Sequence, residues 1–294
     1  MRNKKHQVGA VIAVSVLIAA GGGAAATFGS WTSGSGSGRA LINCPGGMSR
    51  LGHAFDEGIS VFPGDPAIHI SDLYTVADDF FLVEDIDTGA HAGTHLDVPV
   101  HFIEDGRSID ELAAEEFVWP AYKIDVRGET FEDNFVTVDF IRDYEREHGR
   151  IKRGSLVILQ TGAEEFFGLG GDGDAYATEP SVDKDGNPVD IAANTDDLFE
   201  FENAGFSGDA VQWLFDRRHI DGVGSDAYGP DAATDVNFSA TFTTLANDGV
   251  ALVAIANLDS VNIRSDVIMA PTVNLTDGSG FSTDPLACHG RPRR

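Results

Sequence analysis

The chain has 294 residues, with 47 Asp and Glu against 20 Lys and Arg and a formal charge of −27. That length can bury a substantial core as one large domain or two small ones. The acid excess is spread along almost the whole chain, and only five of the basic residues are Lys, which argues against nucleic acid as a partner because phosphate would be repelled.

A hydrated acidic surface stays soluble in concentrated salt, where screening over a few ångströms cancels self-repulsion. The composition therefore points to a salt-loving source. The first 28 residues read as an export signal or an N-terminal membrane anchor: Arg2, Lys4 and Lys5 precede an apolar and small-residue run from Val8 to Phe28. That run is about long enough to span a bilayer. A Gly/Ser linker over 29–42 follows, and the remainder, 43–294, is expected to be one extracytoplasmic domain. Cys44 and Cys288 lie just inside its two ends. An even count in an oxidising compartment favours a disulfide, with two unrelated buried thiols as the alternative.

Within the domain, short strands are expected around Ser49–Phe55 and Ile59–Pro66, and another over Phe80–Ile86, rich in aromatic and β-branched residues. Then comes His91-Ala-Gly-Thr-His95-Leu-Asp97-Val-Pro99-Val-His101-Phe102, with three histidines and a carboxylate in eleven positions. His91, His95 and Asp97 supply two imidazole nitrogens and a carboxylate oxygen, a set that suits Zn or Mn and leaves a coordination position open. His101 sits close by without being needed as a ligand. Pro99 forces Val98 into an extended state, so a constrained loop is expected here rather than a helix. His95 and Asp97, two apart in extended chain, then point to one side.

Ser108 starts a short helical turn and Ala121–Val126 reads as a strand. A helix capped by Thr137 and ended by Gly149 leads to a core strand, Leu156–Gln160. Residues 163–204 form an acidic, Gly/Asp-rich insertion. Its Asp172-Gly-Asp174 and Asp183-Lys-Asp185-Gly-Asn187 superficially resemble calcium loops, but the flanking helices and terminal Glu are missing, so a solvated insertion is expected. A helix capped by Ser207, a strand over Ile220–Asp226, a helical Phe242–Ala246, a buried strand over Val250–Ala256 and a last strand from Val267 complete a mixed α/β pattern. His53, His69, His148, His219 and His289 read as structural or solvated. Phe62 and Trp213 read as core, with Phe62 also a candidate wall of a substrate pocket. Asp226, at a strand end, is a candidate support for the site.

The twelve-residue cluster closely resembles the H-x-G-T-H-x-D-x-P-x-H-F signature of the cyclase family of metal-dependent hydrolases, which includes kynurenine formamidase and isatin hydrolase. Val61-Phe-Pro-Gly-Asp-Pro66, Leu159-Gln-Thr-Gly162 and the stretch from Gly205 to Asp226 extend the resemblance over about 49–280. It implies a swivelling β/β/α fold, a homo-oligomer, and hydrolysis of a small amide, lactam or related carbonyl substrate. By position, His91, His95 and Asp97 are the implied metal ligands and His101 the implied general acid or base. The chain departs from the dinuclear members: 240–243 and 252–258, where a second metal would draw a His and a Glu, contain neither. One metal is therefore expected. The alternative is a binding protein on the same fold that has lost turnover, and the presence of His101 favours the enzyme.

Overall fold

The computed structural model describes residues 43–59, 61–62, 65–167 and 203–290. The expected export segment, the linker and the two calcium-like loops lie outside the described residues. The elements run β1 (Met48–Arg50), β2 (His69–Tyr74), α1 (Val76–Asp79), β3 (Val83–Asp87), β4 (His95–Asp97), β5 (Val118–Asp125), β6 (Phe135–Val136) and α2 (Val138–His148). They continue with β7 (Leu156–Gln160), β8 (Gly205–Phe206), α3 (Gly208–Arg218), β9 (Gly222–Ser225), α4 (Ser239–Ala246), β10 (Val250–Val253), β11 (Val267–Met269), β12 (Gly280–Ser282) and β13 (Leu286–Cys288).

Nine strands make one mixed sheet in the order β1-β13-β11-β5-β7-β9-β10-β4-β12. Its centre, β5-β7-β9-β10, is parallel, and both flanks are antiparallel. Leu156-Val-Ile-Leu explains why β7 sits in the middle, since apolar side chains leave on both faces. Leu156 and Ile158 pack on one side with Leu96, Val98, Trp119 and Leu252. Val157 and Leu159 pack on the other with Ile141 of α2, Val211 and Leu214 of α3, and Ala240 of α4. Each fully buried Leu or Ile stabilises the fold by about 1.5–3 kcal/mol.

The two long helices begin as expected. Thr137 Oγ1 accepts from the Phe140 N–H, and Ser207 Oγ from the Ala210 N–H. Arg218 Nε and Nη2 donate to the two oxygens of Glu145, at 2.6 and 2.5 Å, and clamp α3 to α2. Among the described residues no helix is long and apolar enough to cross a membrane.

Three local expectations need correction, the first being that Val267 begins the last strand, since β12 and β13 follow it. The described part of Ile59–Pro66 forms no strand: the Asp65 N–H turns back onto the Phe62 carbonyl at 2.9 Å, and the two prolines have no N–H to give a ladder. Pairing begins instead at β2, which joins β3 in a two-stranded ribbon. Nearly every residue of that ribbon is exposed, so no buried alternation marked β2 in advance. Pro99–His101 also forms one turn of 3-10 helix. Val98 is extended, as proline demands of its predecessor, but proline itself is tolerated in a first helical turn, where its missing N–H is not needed.

Cys44 and Cys288 are joined by a disulfide, which ties the start of the domain to β13. Cross-links that close long loops restrict the unfolded chain most, typically by 2–5 kcal/mol in secreted domains. Cys44→Ser with Cys288→Ser is expected to lower stability by about that amount, read as the urea midpoint of the full chain. An unchanged midpoint would show that the bridge contributes nothing.

Candidate active site

The site is built on β4, an inner strand of the sheet between β10 and β12. Leu96 points into the core, so His95 and Asp97, on either side of it, emerge on the opposite face together. His95 and Asp97 are themselves buried, each about 5% exposed. Just upstream, Gly93 takes a φ of +62°, which turns the chain from His91 into the strand. A Cβ at Gly93 would lie 2.5 Å from Ile59 Cδ1, so both backbone and space require glycine there.

Both imidazoles face one carboxylate oxygen. His91 Nδ1 lies 2.8 Å from Asp97 Oδ1, and His95 Nε2 lies 3.3 Å from the same atom. Their remote nitrogens are held in turn. His95 Nδ1 is 2.7 Å from the Gly93 carbonyl, and His91 Nε2 is 2.8 Å from Ser279 Oγ. This is the pattern of metal-ligating histidines, in which an outer partner sets ring and tautomer. The donor set fits a divalent cation: two nitrogens and a carboxylate, converging and oriented from behind.

His101 joins the cluster. Its ring stacks on that of His91 with centroids 4.0 Å apart, and His91, Asp97 and His101 offer ligand atoms that all lie within 4.8 Å of one another. The 3-10 turn that followed Pro99 is what swings His101 back over His91.

Electrostatics separate the members. Burial pushes the Asp97 carboxyl up, but His95 and His91 outweigh it and hold the group well below the usual carboxylate range. Burial opposes a charge on His95, yet Asp97 and the Gly93 carbonyl raise its pKa overall. For His101 burial dominates and lowers the pKa, with His91 and His95 adding to it against Asp97. Burial thus disfavours a proton on the His101 ring, while the neighbouring imidazoles favour the charge on Asp97. Asp65, from the Phe62–Pro66 turn, feels His91, His95 and Asp97 electrostatically, although burial keeps its pKa above the ordinary value.

An aromatic wall stands over His101. Phe102 is 4.9 Å from the His101 ring by centroid, and Phe238 makes edge contacts with Phe102 at 6.2 Å and with Phe62 at 6.1 Å. Phe62 also meets Tyr228 edge-on at 6.3 Å. Phe238 precedes α4 with a φ of 50°, so nothing in the helical pattern announced it. Ser279 was equally invisible, because only pairing of β12 with β4 brings it near.

The other singled-out residues have structural surroundings. Asp226 accepts from the Thr161 N–H and hydroxyl and from the Gly162 N–H at 2.7–2.8 Å, locking the ends of β7 and β9 together. His289 is buried between Asp266 and Ser49, His219 caps α3 in a left-handed conformation, and His148 packs on Tyr144. His69 is exposed. Trp213 lies under the Arg218 guanidinium at 4.2 Å.

The fold and the site together define a class. The putative cyclase family matches residues 49–232, and the chain belongs to it. It is similar to the isatin hydrolase of Roseibium aggregatum, 27% identical over 231 residues, covering 75% of this chain and 80% of that protein. Among solved structures it resembles an isatin hydrolase bound to the product analogue thioisatinate, with a TM-score of 0.67 at 24% identity over 82% of this chain and 91% of that one. It also resembles isatin hydrolase A from Labrenzia aggregata bound to benzyl benzoate, with a TM-score of 0.66 at 25% identity over 82% and 92% of the respective chains. These likenesses bear out the expected fold.

His53 supplies a pH-dependent feature outside the cluster. Its ring stacks on Phe167 at 3.8 Å, and its Nε2 is buried with no hydrogen-bond partner among the described residues. Burial lowers its pKa from 6.5 to about 4. The folded state thus disfavours the protonated ring, so this contribution to stability is complete above pH 6.5 and is lost as pH falls toward 4. His53→Phe keeps the stacking and removes the titration. The urea midpoint of the wild type is expected to fall more steeply than the variant's between pH 7 and pH 5, and parallel curves would remove His53 from the acid response.

Proposed function

We propose that the chain is a metal-dependent hydrolase of a small amide, lactam or related carbonyl compound, with His91, His95 and Asp97 holding one Zn or Mn ion and His101 moving the proton. The observation that carries this reading is the convergence of His91 Nδ1 and His95 Nε2 on one buried oxygen of Asp97, with both remote nitrogens engaged. A divalent ion held there would polarise a carbonyl and lower the pKa of water toward neutrality. His101, whose protonated form burial disfavours, is the group free to take a proton and return it to a leaving nitrogen. Phe62, Phe102 and Phe238 bind and orient a flat apolar substrate and limit the entry of water. The named relatives, isatin hydrolases, support a cyclic amide as the first compound to try.

Neither His nor Glu occurs at 240–243 or 252–258, and this supports a single ion. The disulfide supports an extracytoplasmic location. The exposed Leu73, Val76, Phe80 and Phe81 on the β2–β3 ribbon and its tip support assembly with further copies. A second reading, in which His101 is itself a ligand, is favoured by its distance to His91 and Asp97.

Metal analysis of the purified full chain, with hydrolysis assays on isatin, formylated anilines and lactones, tests the proposal. About one divalent ion per chain and measurable turnover are expected. His101→Ala is expected to keep the ion and lose about 10²–10⁴-fold in rate. Loss of the ion together with the rate would select the second reading, and equal rates in variant and wild type would remove His101 from the mechanism.

A further inference from the structure

Strand β12 follows the ligand strand residue by residue. Gly280 pairs with Asp97, Phe281 with Leu96 and Ser282 with His95. Beyond each end of this ladder the match continues, because the Val98 N–H donates to the Ser279 carbonyl at 3.1 Å and the Thr283 N–H to the Thr94 carbonyl at 2.9 Å. Two serines of this segment also reach the loop that carries His91. Ser279 Oγ meets His91 Nε2 at 2.8 Å, and Ser282 Oγ donates to the Ala92 carbonyl at 2.8 Å. Between them, a Cβ at Gly280 would stand 2.8 Å from His91 Cε1 and 2.4 Å from the Leu96 carbonyl oxygen. The His91 ring thus lies close against Gly280, with a hydroxyl at its far nitrogen. The segment 279–283 lies outside the stretch 49–232 that the family match covers.

We infer that Ser279 is a positioning residue for the metal centre: when an ion is held, its hydroxyl would accept the Nε2–H of His91 and leave the Nδ1 lone pair, which lies beside Asp97 Oδ1, free for the ion, while Gly280 leaves room for the ring. The inference rests on the proposal that His91 is a metal ligand. Imidazole has one N–H when neutral, so a partner at Nε2 decides which nitrogen is free to coordinate. The Ser279 contact is the only hydrogen bond at His91 Nε2 among the described residues. His101 depends on the same contact, since its ring is stacked on that of His91. A carbonyl, as His95 has in Gly93, would do the same service from the backbone. At His91 the service comes from a side chain, so it can be removed without rebuilding the strand.

Ser279→Ala and Ser279→Thr in the full chain test this, with Co²⁺ and Zn²⁺ alone as probes. Removal of an outer partner typically weakens metal binding by about 10–100-fold. That loss is expected for Ser279→Ala in competition with a chelator, with an altered visible spectrum of the Co²⁺ form, while Ser279→Thr returns both toward wild type. The urea midpoint of the metal-free protein is expected to be the same in all three, which separates positioning of the ring from support of the fold. Gly280→Ala is expected to weaken Co²⁺ binding as well, by displacing the ring. Ser279→Ala that binds Co²⁺ with wild-type affinity and spectrum overturns the inference and leaves the proposed function standing. A wild-type chain that holds neither ion overturns both.

Discussion

The Asp97 carboxylate, buried on β4 between two imidazoles, is the constraint on which the site depends. A charge removed from water costs several kcal/mol unless it is paired and hydrogen-bonded. Here His91 and His95 surround it, and its own field holds them in place. Replacing Asp97 with an apolar residue would remove the reason for both rings to converge, and replacing either ring would leave a buried charge poorly matched. A divalent cation would satisfy all three groups at once.

That carboxylate can be held rigidly because of where β4 lies. Backbone pairing with β10 on one side and β12 on the other leaves β4 no edge, and Leu96 between His95 and Asp97 is fully buried. The parallel centre of the sheet places β10 next to it through ordinary apolar packing against α3 and α4. The antiparallel flank contributed by the last third of the chain closes the other side. The disulfide ties the start of the domain to β13, near the opposite edge of the sheet. A rigid strand, with one glycine-permitted bend before it and one proline-started turn after it, delivers four polar side chains to one point.

Much of this was legible in the residues. The helices after Thr137 and Ser207 were readable because capping and apolar spacing agree, and β7 because five consecutive residues suit burial on both faces. The core of the candidate site was readable too, since His91, His95, Asp97 and His101 are close in sequence and short extended chain has few ways to arrange them. β2 was missed because its ribbon buries almost nothing, and burial is the source of the alternating signal. The segment before Pro66 was misassigned because the apolar residues Ile59, Val61 and Phe62 imitate a strand while the prolines deny it partners.

Sequence alone determined the residue types of the candidate site, their order and the shared side on which His95 and Asp97 emerge, because those follow from local chemistry and the two-residue repeat of extended chain. The tertiary structure decided what lies behind and above them. Ser279 is 188 positions from His91, and Phe238 and Phe62 are likewise far beyond the reach of any local pattern. Their placement follows from strand pairing and helix packing, which are sums over many weak contacts across the whole domain. No short stretch of residues encodes such a sum, and so the supports and walls of the site became visible only in the folded chain.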